Sequence, residues 1–243
     1  MSDAGLFDRL FGAGAHQVRV DGQFVHGEAQ LAGRQLAVIG TWNSAAIDGD
    51  LALAVAGAVL AVVGADAASG TAPRPIVFIA DTSGQQLSRH EELLGINGTF
   101  AHLARCVDLA RRHGHPLLTL VHGEAVSGGF LAFGLLADRV CALADAQVRV
   151  MDLRAMARVT KIDFERLQAL AAASPVFAPG AANYWRMGAV DELWAARDDW
   201  AHCLTAALSA AASASAQDGR AALGETRGGR SLAAPIAALV DDA

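Results

Sequence analysis

The hydrophobic pattern opens with short segments separated by turn chemistry. Residues 16–20 (HQVRV) precede Asp21-Gly22, a strong hairpin turn, and residues 24–29 follow. A second turn at Gly33-Arg34 leads into residues 36–42, so the pattern predicts a meander of strands. Asp48-Gly49-Asp50 then stand before the apolar run 51–63 and supply capping residues for a helix. That run is shorter than the roughly 18–20 residues of a membrane span, so a buried helix is expected. Residues 69–75 read as a loop, and residues 76–80 (IVFIA) as a fully apolar strand of the kind found inside parallel sheets. Residues 81–86 (DTSGQQ) read as a polar loop at the carboxyl end of that strand. Residues 91–113 predict a long helix with a break at 95–98, whose face Phe100, Leu103, Val107 and Ala110 has core spacing. Residues 117–121 predict the next buried strand, 130–137 a helix ending at Asp138, and 139–143 and 147–151 further strands.

The last third reads as helical over 163–173, 180–187 and 196–214, with Pro175 and Pro179 bounding a loop. Residues 209–217 are Ala/Ser-rich and 224–230 (GETRGGR) are rich in glycine and arginine, which suggests a frayed helix end and a loop. The apolar segment 232–240 either packs back on the domain or meets a partner.

Strand–helix–strand alternation implies right-handed crossovers and an α/β fold with a mainly parallel sheet. One domain is expected over 1–243, with its core at about 16–195 and a helical extension at about 196–243. Ligands in such sheets sit outside the carboxyl ends of strands, where 81–86 and 122–129 (HGEAVSGG) both fall. A strand that stops at paired glycines and restarts as a helix leaves backbone N–H groups facing open space, where partial positive charge suits an oxyanion.

Composition narrows the classes. Hydrophobic residues make up 53% and charged residues 18%, which fits a packed globule. The net charge of −6 gives no support to nucleic-acid binding. Lys161 is the only lysine, which removes most readings that need a lysine base. Cys106, Cys141 and Cys203 are far apart and odd in number, as expected of a reduced, cytoplasmic protein. Residues 1–9 lack the basic start and apolar core of a signal peptide.

The run HGEAVSGGFLAFGLLAD, residues 122–138, is similar to the signature of the crotonase superfamily, and GAVDEL, residues 188–193, resembles its later G-x-V-D-E segment. The resemblance covers roughly residues 70–195 and implies the crotonase fold (a ββα superhelix) and binding of acyl thioesters. In crotonase hydratases a catalytic glutamate follows two residues after the last glycine; here that position is Leu131, which disfavours a hydratase or isomerase. Residues 81–89 (DTSGQQLSR) and 123–134 (GEAVSGGFLAFG) look like the carboxyltransferase branch, including the acetyl-CoA carboxylase carboxyltransferase α subunit. With the TSGQ segment and residues 175–180 (PVFAPG), the whole pattern most resembles the γ subunits of biotin-independent malonate decarboxylases.

That resemblance implies a mechanism. A malonyl thioester on the prosthetic arm of an acyl carrier protein loses carbon dioxide, and fixed donors hold the resulting enolate. The implied donors are the N–H groups of Gly128 and Gly129, and of Gly84 or Gln85, with Ser83, Ser127, His122 and Glu124 lining the substrate. The implied partners are a carboxyltransferase-like β subunit, the carrier protein subunit and an acyl-carrier transferase subunit. No cofactor or metal is expected on this chain, and neither nucleic acid nor membrane as a partner.

Competing readings remain at several residues. Ser127 also resembles the nucleophile of signal-peptide peptidases, for which Lys161 is the only candidate base. The chain could instead be a non-catalytic scaffold. His90, His113, His115 and His122 lack metal-ligand spacing. Asp81 and Glu124 either move the proton that quenches the enolate or cap loops. Tyr184, Trp185 and Met187 read as core or interface. Arg154, Arg158 and Arg166 read as a solvated or partner-facing stripe, suited in the second case to an acidic carrier protein.

Overall fold

The structure, a computed structural model, describes residues 3–174, 178–213 and 218–241. The turns and apolar runs above fold into a bent sheet. β1 (Arg19–Asp21), β2 (Phe24–Leu31) and β3 (Arg34–Thr41) form the antiparallel meander. β3 then pairs in parallel with β5 (Ile76–Gln85), β5 with β6 (Leu117–Val126), β6 with β7 (Arg139–Leu143), and β7 with β9 (Glu192–Trp194). Two short strands leave this path: β4 (Ala45–Ile47) pairs with β5, and β8 (Gln147–Arg149) with β6.

The two central strands each run ten residues, twice as far as their apolar runs. Their first halves pair with β3 and β7, and their second halves with β4 and β8. Residues 81–85 are therefore strand rather than loop, and β6 does not stop at His122. The apolar runs end before the strands do because polar residues continue them: Thr82 is fully buried in β5 with its hydroxyl donating to the Ala45 carbonyl at 2.6 Å. At the bend the register passes from Ala80↔Val121 to Thr82↔Ala125, so Asp81 alone faces His122, Gly123 and Glu124.

Helices cover the sheet. α2 (Gly49–Ser69) is capped by Asp48, whose carboxylate accepts from the Leu51 N–H at 2.8 Å, as its sequence predicts. It is longer than its apolar run suggested. At 21 residues, with an 18-residue stretch of mean hydropathy 2.1, it is long and apolar enough to cross a membrane by those two measures alone. One face, Ala52, Val55, Ala56, Val59 and Val63, is buried in the core, against the meander and α4 (Ile96–Arg112). The break before α4 falls at Gly95, which also ends the short α3 (Arg89–Leu94).

Residues outside 16–195 share this core. α1 (Asp3–Phe11), for which the pattern gave no element, buries Leu6, Phe7, Leu10 and Phe11 and packs on α9 (Trp200–Ala212). Trp200, Leu204, Ala207 and Leu208 of α9 are buried in turn. All three cysteines are free; Cys106 and Cys141 are buried, which raises both thiols and keeps them unreactive.

The GETRGGR segment is more than a loop. α10 (Arg220–Thr226) lies against the end of α8 (Ala181–Arg186), where a methyl at Gly224 or Gly229 would overlap the backbone of Met187 or Arg186. Arg227 follows, stacking 4.2 Å over Trp185 and donating to the carbonyls of Trp185, Val190 and Asp191. The aromatic pair Tyr184 and Trp185 is thus partly covered from within the chain. α11 (Ala233–Asp241) buries nothing: Leu232, Ile236, Leu239 and Val240 stay more than half exposed. It does not pack back on the domain.

Candidate functional site

The bend is built around Asp81. Its Oδ1 accepts from the Glu124 N–H at 2.9 Å, and its own N–H donates to the Thr41 hydroxyl at 3.3 Å. A methyl at Gly123 would overlap the Asp81 carboxylate, so only glycine leaves room for it. Asp81 thus satisfies an N–H that the three-against-one register takes out of the ladder. Glu124 is also engaged. Its carboxylate accepts from Ser44 Oγ at 2.9 Å and pairs with Arg149 at 3.0 Å, tying β6 to β4's approach and to β8.

His122 points elsewhere. Its ring stacks on Trp42 with centroids 4.3 Å apart and lines a cavity of about 430 Å³ with Arg9, Asp81, Asp145 and Trp200. Its Nε2 is buried, 3.9 Å from Asp81 Oδ2, and makes no hydrogen bond. Burial pushes this imidazole below its usual range, and the Asp81 carboxylate opposes the shift only in part. The neutral ring is therefore the folded form. The unfolded chain binds the proton more readily, so the contribution of His122 is complete above the unperturbed value of 6.5 and is lost as pH falls below it. A His122→Phe variant keeps the stack and removes the titration. Thermal melts from pH 7.5 to pH 5 should fall less steeply for it than for the native chain; parallel curves would refute this account.

The glycine turn lies further along both strands. Ser127 adopts a left-handed backbone, φ +50°, and opens α5 (Ser127–Leu131). This helix is one turn long, against the eight-residue element that the apolar run suggested. The chain then widens: both Gly134 and Leu135 N–H groups bond the Phe130 carbonyl, and Thr119 Oγ1 takes the Gly134 carbonyl at 2.7 Å. The Gly128 and Gly129 amides, in a first turn with no side-chain cap, have no acceptor within the helix. So short a helix has little dipole, and the amides themselves are the feature that matters.

Gly129 packs onto Gly84 of β5: a methyl there would stand 2.8 Å from the Gly84 carbonyl carbon and 3.0 Å from Thr82 Oγ1. Gly84 has φ +107°, a conformation glycine favours. Its N–H already donates to Thr82 Oγ1 at 3.0 Å, while that hydroxyl donates to the Ala45 carbonyl at 2.6 Å. Gly84 is therefore not a free donor; it provides the close approach. Gln85 stands over the turn, its Oε1 buried without a hydrogen bond and 3.1 Å from where a Gly128 methyl would sit. The carboxamide can turn its NH₂ there instead.

The fold thus brings together Gly84, Gln85, Ser127, Gly128 and Gly129, with Ser83 exposed on the same strand. His122 and Glu124 belong to the bend instead. Thr82, Thr41, Trp42 and Arg149 carry this geometry, and sequence reasoning missed them; Thr82, inside the TSGQ segment, was the most visible. Lys161, the single candidate base for Ser127, is exposed at the C-terminal end of α6 (Leu153–Thr160). The histidines elsewhere are structural or solvated: His115 is buried with Nδ1 2.9 Å from the Arg74 carbonyl, and His90 is exposed on α3. In GAVDEL, Asp191 accepts from the Val140 N–H at 2.8 Å and Glu192 pairs with Arg139 at 2.7 Å, which docks β9. Of PVFAPG, residues 175–177 lie outside the described residues.

Residues 43–243 match the family described as malonate decarboxylase gamma subunit. The chain belongs to that family. Among curated proteins, this gamma-subunit chain is 36% identical over 183 residues to the malonyl-S-ACP:biotin-protein carboxyltransferase MADD of Malonomonas rubra. The match takes in 71% of the chain and spans 63% of that relative's length. Among solved structures it is similar to a Pseudomonas malonate decarboxylase hetero-tetramer in complex with coenzyme A, at TM-score 0.82 and 25% identity over 98% of both chains. The Pseudomonas MdcD-MdcE hetero-dimer follows at TM-score 0.77 and 25% identity over 98% of this chain and 97% of that one. Transcarboxylase 12S, at TM-score 0.70 and 20% identity over 88% of this chain and 41% of that one, shares the fold. The gamma-subunit fold here is crotonase-like, of the carboxyltransferase kind.

Proposed function

We propose that this chain, with a carboxyltransferase-like β subunit, decarboxylates a malonyl thioester on an acyl carrier protein to the acetyl thioester. Breaking the bond to the carboxylate releases carbon dioxide and leaves its electron pair on the thioester as an enolate; a proton then completes the acetyl group. The observation that carries this reading is the pair of first-turn amides at Gly128 and Gly129, beside the unbonded carboxamide of Gln85. Such groups stabilise a developing oxyanion and need no covalent partner. Ser127, beside them, shapes the turn through its left-handed backbone. Membership of the gamma-subunit family and the carrier-borne substrate in the Malonomonas relative's name support the choice of substrate. The half-exposed turn supports completion of the site by a second subunit, and no cofactor on this chain enters the scheme. A cytoplasmic, multi-subunit assembly with carrier and acyl-carrier transferase subunits completes the proposal.

Reconstitution tests it. The chain alone and the chain with its β subunit are given malonyl thioester, and carbon dioxide and acetyl thioester are measured. Turnover is expected only in the complex, and Ser127→Ala is expected to retain most of it. Hydrolysis of the thioester by the isolated chain, abolished by Ser127→Ala, would replace this reading with a serine hydrolase.

A further inference from the structure

α6 and α7 (Phe164–Ala173) pack together as a helical pair beyond β8. Arg154, Arg158 and Lys161 follow one another at the spacing of a single helix face, and Arg166 stands on α7; all four are exposed. Among the described residues none of the four has an ion pair. A row of like charges at this spacing works against its own helix. Three carboxylates lie nearby: Asp152 is committed to capping α6 through the Ala155 N–H at 2.8 Å, and Asp163 and Glu165 stand at the start of α7. Between the helices runs a groove of about 590 Å³ lined by Asp152, Arg154, Ala157, Arg158 and Phe164. The Arg154 guanidinium lies 4.8 Å over the Phe164 ring, which holds it in place while its N–H edges stay free for carboxylates.

The position relative to the glycine turn gives this surface its meaning. Arg149, the last residue of β8, is level with Val126, the residue before Ser127. Only three residue steps separate Arg149 from Asp152, a chain length of at most about 10 Å. A protein seated on α6 and α7 therefore stands beside the turn that the thioester must reach.

We propose that the arginine face of α6 and α7 is the docking surface for the acidic acyl carrier protein that presents the substrate. This rests on the reading above that the thioester is carrier-borne. The row of unpaired cations steers and holds the carrier's carboxylates, and the arm then reaches the Gly128 and Gly129 amides.

The test uses the reconstituted complex, with the malonylated carrier protein and malonyl-N-acetylcysteamine as paired substrates. Carrier binding is followed by fluorescence anisotropy and turnover by acetyl thioester release. Arg154→Glu with Arg158→Glu should weaken carrier binding and raise KM for the carrier-borne substrate roughly tenfold or more, and should flatten the dependence of both on salt. Turnover of malonyl-N-acetylcysteamine should not change, and Arg154→Lys with Arg158→Lys should bind the carrier nearly as the native chain does. Unchanged carrier affinity in the charge-reversed variant overturns the docking surface and leaves the decarboxylase reading standing. Equal losses on both substrates also overturn it. Tight, arginine-dependent carrier binding without turnover of either substrate would sink the decarboxylase reading instead.

Discussion

Gly128→Val should lower kcat of the reconstituted complex about 10²–10³-fold, the loss of roughly 3–4 kcal/mol expected when one oxyanion donor is displaced. The added side chain would meet the Gln85 carboxamide, since a single methyl already stands 3.1 Å from its Oε1. The turn must then open or Gln85 must swing away, and either movement takes a donor from its place. Gly128 is half-exposed, so the melting temperature should stay close to that of the native chain. Gly129→Ala is the useful contrast: its methyl presses on Gly84 backbone at 2.8 Å, so it should cost stability of about 1–3 kcal/mol as well as activity. A folded Gly128→Val complex that turns over at the native rate would remove the amides from the mechanism. KM should change little beside kcat, because the enolate's charge exists only after the ground state.

Asp66→Ala is expected to be the most damaging single change to stability away from the site. Asp66 is 6% exposed near the end of α2. Its carboxylate accepts from the Arg74 N–H and from Arg74 Nε, both at 2.8 Å, and lies 3.8 Å from His115 Nδ1. Arg74 also reaches Glu28 on β2 at 2.7 Å, and its carbonyl meets His115. This network fixes where the chain leaves α2 and enters β5. Removing the carboxylate leaves the Arg74 backbone N–H without its partner and the guanidinium with only the more exposed Glu28, which costs about 3 kcal/mol. For a chain of this size that is a fall of roughly 6–12 °C in Tm. Asp66→Asn should fall between, since its amide oxygen still accepts from one N–H. A shift within about 2 °C for Asp66→Ala would mean that Glu28 alone holds Arg74.

The two halves of the candidate site differ in how visible they were in the chain. The SGG triplet marked the turn, because few residues besides glycine let two backbones approach as Gly129 and Gly84 do. The TSGQ segment marked the second element, but as a loop: its polar residues hide a strand whose partner, β4, is three residues long. The role of Asp81 was not legible at all. It depends on a register shift between β5 and β6, and register is a relation between two segments that neither encodes alone. The same holds for His122, whose neighbour Trp42 lies eighty positions away and turns the ring toward a different cavity. α1 escaped notice because nine residues with four buried apolar positions carry too little periodicity, and α9 supplies the packing that makes it a helix.

The sequence by itself determined the parallel order of the core, the capped helix after the meander and the paired-glycine turn. These follow from apolar runs, turn residues and the lack of a Cβ, which act locally. Tertiary structure alone decided which amides stay free, which carboxylates are committed to backbone or arginine, and where the strands bend. Those outcomes depend on hydrogen-bond partners and close contacts between separate elements, such as Asp81 with the Glu124 N–H and Gly129 with Gly84, and such partners exist only once the chain is folded.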